Sequence, residues 1–310
     1  MTGVVGFWFC GPTLPEPALK VGGLRKSYGE NVAVADLSLS VGAGEVVGLL
    51  GPNGAGKTTT ISCISGLQRP DQGAVSICGV DALRSGRRAR RNFGLATQTS
   101  ALYAPLDAER NLRFYGALAG ASGTDLDRDV EGAIERFQLK RLLGRPVSKL
   151  SIGEKRLVHV ASAVVGRPRV VLLDEATANL DVNARQLVVE AIRTLAEEGC
   201  AILYSSHYLE EVEELCGRVI ILHQGTVIAE GAVSDLIGDH GGGRVELVVE
   251  GRVVVAETTD LREALKAVDS IERLQSARVV PPSLEAVFIA LTGEQIDKEG
   301  FTRGDLEAKA

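Results

Sequence analysis

One stretch, Gly51-Pro52-Asn53-Gly54-Ala55-Gly56-Lys57-Thr58, limits what this chain can fold into more than any other. It follows the apolar run Val46 to Leu50 and precedes the helix-compatible Thr59 to Ile64. That order of strand, loop and helix is the one in which the pattern G-x-x-x-x-G-K-[ST] forms a phosphate-binding loop. The glycines let successive backbone N–H groups turn toward one anion, and the helix adds the positive end of its dipole. Lys57 is then placed to reach the β- and γ-phosphates of a nucleotide and Thr58 to hold Mg2+, with Thr59 beside them in the same turn.

A chain of 310 residues, 45% of them hydrophobic, suffices for one large domain with its own core and a smaller second unit. The formal net charge of -6 disfavours non-specific attraction to nucleic acid or anionic lipid, and leaves room for a local basic face. The five cysteines (Cys10, Cys63, Cys78, Cys200, Cys216) form no C-x-x-C pair and sit mostly in apolar segments. They are expected to be reduced core residues of a cytosolic protein. No run approaches the roughly 18 apolar residues that span a bilayer. Val4 to Phe9 is too short for the core of a secretion signal and has no Lys or Arg before it, so Met1 to Pro17 is expected to be an atypical or disordered start.

Along the chain, Leu19 to Leu24 and Val32 to Val41 are strand-like, with the turn-rich Ser27 to Asn31 between them. Tyr28 in that turn has two readings on spacing alone, an aromatic stacked on a nucleotide base or a half-buried turn tyrosine. Ala74 to Cys78 is a further strand, and Arg84, Arg87, Arg88, Arg90 and Arg91 read as a solvated helix face. Phe93 to Thr97 is strand-like and ends at Gln98. Helical periodicity then takes over from Asp107 to Val165, carried by Leu112, Tyr115, Leu118 and Ala119, and by Val130, Ile134, Phe137 and Leu139. Its last helix starts near Ser151 and Gly153, which could cap it and leave N–H donors.

Val170 to Asp174 is continuously apolar until it reaches two acids, Asp174 and Glu175, as expected of a buried parallel strand whose tip lies beside a ligand. Mg2+ is the natural partner of such a pair, Asp174 orienting its water shell and Glu175 accepting a proton from an attacking water. A helix over Val182 to Glu197 leads to the strand Ala201 to Tyr204, which ends at Ser205-Ser206-His207. His207 is either structural or at the site, since it follows a strand on the side of the other tips. Beyond the glycine run at Gly241, Arg244 to Val249 and Arg252 to Glu257 read as strands, Leu261 to Val268 as a helix, and Pro281 to Phe288 as a stop, a cap and a final short helix. From Gly241 onward there are 9 Lys and Arg against 13 Asp and Glu, so most of the net acidity lies there.

In this order the motifs resemble those of the ATP-binding cassette (ABC) family of transporter ATPases, over roughly Leu19 to Gly231. Tyr28 stands at the adenine-stacking aromatic, Gly51 to Thr58 at the Walker A loop, and Gln98 at the glutamine that links the metal site to the transporter. Leu150 to Glu154 stands at the signature loop, Asp174 and Glu175 at the Walker B pair, Asn179-Leu180-Asp181 at the D-loop, and His207 at the switch histidine. The fold implied is α/β, a P-loop NTPase of the ABC ATPase type over 18–240 with a helical signature subdomain at about 100–165, after an atypical start at 1–17 and before a small α+β appendage at 241–310.

The ligands implied are ATP and Mg2+. Tyr28, the loop residues Gly51, Pro52, Asn53, Gly54, Ala55, Gly56, Lys57 and Thr58, and Thr59 would face the nucleotide, and Ser151, Gly153 and Asp181 would complete the site of a second subunit. Glu175, His207 and Gln98 are the implied catalytic set, and Thr58, Gln98 and Asp174 the metal set. The implied partners are a second ATPase subunit and a separate transmembrane permease, which would hold the chain on the cytoplasmic face of the cell membrane; nucleic acid is not among them. The segment Pro-Ser-Leu-Glu-Ala-Val-Phe near the end looks like the drug, lipid and ion export branch. A soluble family member acting on ribosomes or nucleic acid is the alternative, but such proteins usually carry two cassettes or a long coiled coil, and no heptad array occurs here. Two departures stand out in the signature, usually Leu-Ser-Gly-Gly-Gln: Ile152 replaces its first glycine, and Glu154 replaces its glutamine and brings a like charge toward phosphate.

Overall fold

The computed structural model describes residues 17–240, 243–249, 252–258, 274–280 and 282–293. Two sequence expectations, an atypical start and a helix near Leu261 to Val268, lie outside the described residues apart from Pro17.

The apolar segments build one sheet of ten strands. In chain order these are β1 (Leu19–Tyr28), β2 (Asn31–Val41), β3 (Val46–Leu50), β4 (Gln72–Ile77), β5 (Val80–Asp81), β6 (Phe93–Ala96), β7 (Val170–Asp174), β8 (Ala201–Ser205), β9 (Arg218–His223) and β10 (Thr226–Ala232). They lie side by side as β5-β4-β1-β2-β10-β9-β3-β8-β7-β6. Strands β9, β3, β8, β7 and β6 run parallel, whereas β1, β2, β4 and β5 pair antiparallel. All five residues of β3, β7 and β8 are buried, because helices cover both faces of a parallel sheet.

Successive residues of these strands serve two cores. Val47, Leu49, Val170, Leu172, Ala201 and Leu203 meet Ile61 and Ile64 of α1 (Lys57–Ser65) on one face. Beyond the short α2 (Gly86–Ala89), Val171, Leu173, Ile202 and Tyr204 face the opposite core. There they join α3 (Ala108–Ala119), α4 (Gly123–Arg136), α5 (Ile152–Val164), α6 (Val182–Glu197), α7 (Leu209–Leu215) and α8 (Val233–His240). Because β3, β6, β7 and β8 are parallel and in register, Leu50, Ala96, Asp174 and Ser205 end at one edge of the sheet, where open α/β sheets hold ligands.

The sequence expectation for β1 stops at Leu24, and the strand runs on to Tyr28, carried through register shifts at three points against β2. A second, antiparallel sheet of β11 (Gly243–Val249), β12 (Arg252–Thr258) and β13 (Leu274–Val280) follows in the order β12-β11-β13. The chain then returns to the larger body. Helix α9 (Leu284–Thr292) is capped by Ser283 and packs on α7 and α8, burying Leu284, Val287 and Phe288 in the same core. The Leu284 N–H also donates to Glu213 on α7 at 2.5 Å. No described helix is long and apolar enough to cross a membrane.

Candidate active site

The loop between β3 and α1 needs glycine at two points. Gly51 and Gly56 have φ of 152° and 106°, and an added Cβ would lie 2.3 Å from the Leu222 carbonyl oxygen at the first and 2.4 Å from that of Ala33 at the second. Backbone against backbone at such distances leaves no room for any side chain. Lys57 opens α1 and folds back into the loop, donating to the carbonyls of Gly51 at 2.7 Å and Pro52 at 3.0 Å. Burial lowers the pKa of its ammonium, while Glu175 and Asp174 act to raise it. Lys57 forms no salt bridge among the described residues, and a phosphate group is a counter-charge suited to such a buried cation.

Asn53 to Thr59 line a cleft together with Tyr28, Asn31, Ala33, Gln98 and Glu175. Tyr28 is 45% exposed at the mouth, its hydroxyl bonded to Gln68 and its ring under the Lys26 ammonium at 5.3 Å. An aromatic face left this open beside the loop suits a stacked base.

Asp174 is the last residue of β7 and pairs in register with Ser205 of β8, whose hydroxyl donates to its carboxylate at 2.6 Å. Burial pushes the Asp174 carboxyl up, opposed by hydrogen bonds from Ser205 and Thr58. A buried carboxylate touching a hydroxyl, with a second carboxylate next in sequence, has the hard-oxygen chemistry and the electrostatic deficit that Mg2+ relieves. No cluster of three or more His, Cys, Asp or Glu side chains suited to a metal occurs among the described residues. Mg2+ sites built from one or two protein oxygens and substrate phosphates need none.

Glu175 has φ of 50°, a left-handed conformation uncommon for a residue with a side chain. Its N–H donates to the Ser205 carbonyl at 3.0 Å. Its carboxylate lies between two groups: Gln98 Nε2 donates to one oxygen at 3.0 Å, and His207 Nδ1 stands 3.4 Å from the other. The His207 contact is too poorly aligned to be a full hydrogen bond. His207 holds the Glu175 carboxyl below its ordinary range, against the effect of burial, with help from Lys57 and Gln98. The result is an ionised carboxylate at neutral pH, aimed into the cleft that the phosphate loop lines. The His207 ring also packs on Tyr208, centroids 4.1 Å apart.

Within one chain, Gln98, Asp174 and Glu175 therefore gather beside Lys57 and Thr58, and His207 stands against Glu175 in an adjoining cleft that Ile152 and Asn179 also line. Ser151, Gly153 and Asp181 do not line the phosphate-loop cleft. Ser151 caps α5, and Asp181 caps α6 by accepting from the Ala184 N–H at 2.9 Å. Glu154 has a local explanation that sequence reasoning missed although S-x-x-E was in view. Its carboxylate accepts from the Ser151 N–H at 2.8 Å while the Ser151 hydroxyl accepts from the Glu154 N–H at 3.2 Å, a capping box, and Arg145 approaches to 3.3 Å. The Ser151 N–H, followed by Arg145, holds its carboxyl low, so its charge is spent on the helix end. Ile152 is 71% exposed on that first turn. The arginine cluster behaves as a solvated surface: Arg84 is 89% exposed, and its guanidinium approaches Asp81 at 3.6 Å.

Residues 34–178 match the family described as ABC transporter. The chain is 33% identical to the Nod factor export ATP-binding protein I of Rhizobium leguminosarum bv. viciae, over 92% of this chain and 98% of the relative. It is also 33% identical to the daunorubicin resistance ATP-binding protein DrrA3 of Streptomyces coeruleorubidus, over 91% and 98%. A solved structure described as the ATP binding subunit of an ABC transporter superposes with a TM-score of 0.68 at 33% identity, covering 72% of this chain and 93% of the other. With these likenesses added to the phosphate loop and the paired carboxylates, the chain belongs to the ABC transporter family and is one of its ATP-binding, ATP-hydrolysing subunits.

Proposed function

We propose that this chain hydrolyses MgATP at Glu175 and uses the cycle to drive export through a separate membrane protein. The observation that carries the chemistry is the placing of the Glu175 carboxylate between Gln98 and His207 at the wall of the phosphate-loop cleft. Lys57 exchanges its two carbonyl partners for β- and γ-phosphate oxygens, and the backbone N–H groups of Asn53 to Thr59 cradle the same oxygens. Thr58, Gln98 and Asp174 would hold Mg2+, which supplies charge neutralisation on the transferring phosphoryl group. Glu175 orients the attacking water and takes its proton as oxygen bonds to the γ-phosphorus and the bond to the β-phosphate oxygen breaks. His207, against Glu175, keeps that carboxylate charged and would steady the γ-phosphate.

Ser151 is exposed at the N-terminal end of α5, outside its own cleft, and with Gly153 fits a phosphate held by a second ATPase subunit. Asp181 would meet the same interface from the start of α6. The division at about residue 241 belongs to this reading as well, with α9 reaching back to dock on the cassette.

The relatives' names, Nod factor export and daunorubicin resistance, support export, and leave no ground for a soluble ATPase acting on ribosomes or nucleic acid. Attachment to the cytoplasmic face of the membrane would then run through the permease. The test is fractionation of cells expressing the chain with and without a candidate membrane subunit. Retention on salt-washed membranes only when the subunit is present is expected, and equal retention on bare lipid vesicles would contradict it.

A further inference from the structure

Arg156 belongs to none of the motifs above, yet it touches two of them. It is 5% exposed and projects from the second turn of α5 toward the strand tips. A guanidinium has five N–H groups in a fixed plane. Here each has its own backbone carbonyl. Nε donates to Ala176 at 3.0 Å, one terminal nitrogen to Thr97 at 2.6 Å and Gln98 at 2.9 Å, and the other to Asp174 at 2.7 Å and to Glu175. Three of those carbonyls bracket Glu175, the residue with φ of 50°, and the other two lie at the end of β6, where Gln98 begins its hydrogen bond to the Glu175 carboxylate.

We propose that Arg156 is a positioning residue for hydrolysis: it holds the left-handed backbone of Glu175 and ties the Gln98 segment to it, so that both side chains meet at one point. A residue held in a sparsely populated conformation persists only where its surroundings over-determine it, and five directed bonds to two strand ends do so. The requirement is for the shape of the fork as much as for its charge, because an ammonium offers three donors and no plane. Its carrier helix is also the one whose exposed first turn holds Ser151 and Gly153, so a tilt of α5 moves the guanidinium and, through it, the Glu175 carboxylate.

This proposal rests on the assignment of Glu175 to the attacking water, and its test separates the two. Arg156→Lys is compared with wild type for kcat and for MgATP affinity, and again in a Glu175→Gln background. The expected result is a kcat lower by about 10- to 100-fold, the scale of a misplaced reacting group, with affinity changed by less than about threefold. In the Glu175→Gln background the same substitution should change the residual rate by less than about twofold, because the carboxylate it positions is no longer there. An equal proportional loss in both backgrounds, an unchanged kcat, or a loss confined to affinity would overturn the proposal. Should Arg156→Lys not fold, wild-type protein with 15N-labelled arginine decides: five separate, slowly exchanging guanidinium protons from one side chain support the clamp, and rotationally averaged signals for every arginine overturn it. Near-normal turnover in Glu175→Gln alone would instead remove the reading on which the proposal stands.

Discussion

Acidification should destabilise this protein through a side chain remote from the chemistry. His159 lies on the inward face of α5, 3% exposed, and its Nδ1 has no hydrogen-bond partner among the described residues. Burial, with a smaller contribution from Arg156, lowers its pKa from 6.5 to about 4. The folded state therefore keeps the ring neutral, and the unfolded chain takes up a proton first as pH falls. Stability from this residue is complete above the unfolded pKa and is lost as pH falls from there toward the folded value. Each pH unit inside that window is worth about 1.4 kcal/mol, so the full loss is about 3 kcal/mol, of which about 2 is gone by about pH 5. The perturbation is His159→Leu, which removes the titration and keeps an apolar side chain in place. Urea unfolding followed by circular dichroism at about pH 7.5 and pH 5 measures both proteins, and the difference of differences cancels every other titrating group. Wild type should lose about 2 kcal/mol more than the variant over that interval. Parallel losses in the two proteins would refute the reasoning and place the neutral ring in a wetter site than its packing indicates.

Two further substitutions test local parts of the account. Gly56→Ala puts a methyl 2.4 Å from the Ala33 carbonyl at φ of 106°, so nucleotide affinity should fall at least about tenfold together with the melting temperature; unchanged affinity by equilibrium titration would contradict the loop geometry. Glu154→Ala removes half of the capping box and should cost about 1 kcal/mol in chemical unfolding, whereas Glu154→Gln keeps an acceptor and should cost less than about 0.5; equal losses would assign the effect to charge instead of the cap.

Strands β3, β7 and β8 were legible because each is a short apolar run ending in a residue of different chemistry: Leu50 before Gly51, Leu173 before Asp174, Tyr204 before Ser205. Motif order then sufficed to bring Gln98, Asp174, Glu175 and His207 to one edge, since parallel strands in register end together. Side chains whose partners are backbone atoms were not legible. Arg156 follows Lys155 in sequence as one half of an ordinary basic pair, and the fold shows that its helix turns it inward onto five carbonyls. The extension of β1 to Tyr28 depends on bulged pairing with β2, which no alternation of residues in β1 announces. Strands β9 and β10 escaped notice too, although Val219 to Leu222 is wholly buried beside β3. Helix α9 looked like part of the appendage because chain proximity suggested it, whereas Leu284, Val287 and Phe288 find their apolar surface on α7 and α8.

The measurement closest to the central claim is ATP turnover by Glu175→Gln, made alongside MgATP binding to the same protein. The substitution keeps the size and shape of the side chain between Gln98 and His207, turns one of its two acceptor oxygens into an N–H donor, and removes the base. The account predicts retained binding with hydrolysis lower by at least about 100-fold, the contribution of a positioned general base. Turnover near that of the wild-type protein, with ATP bound, would contradict it.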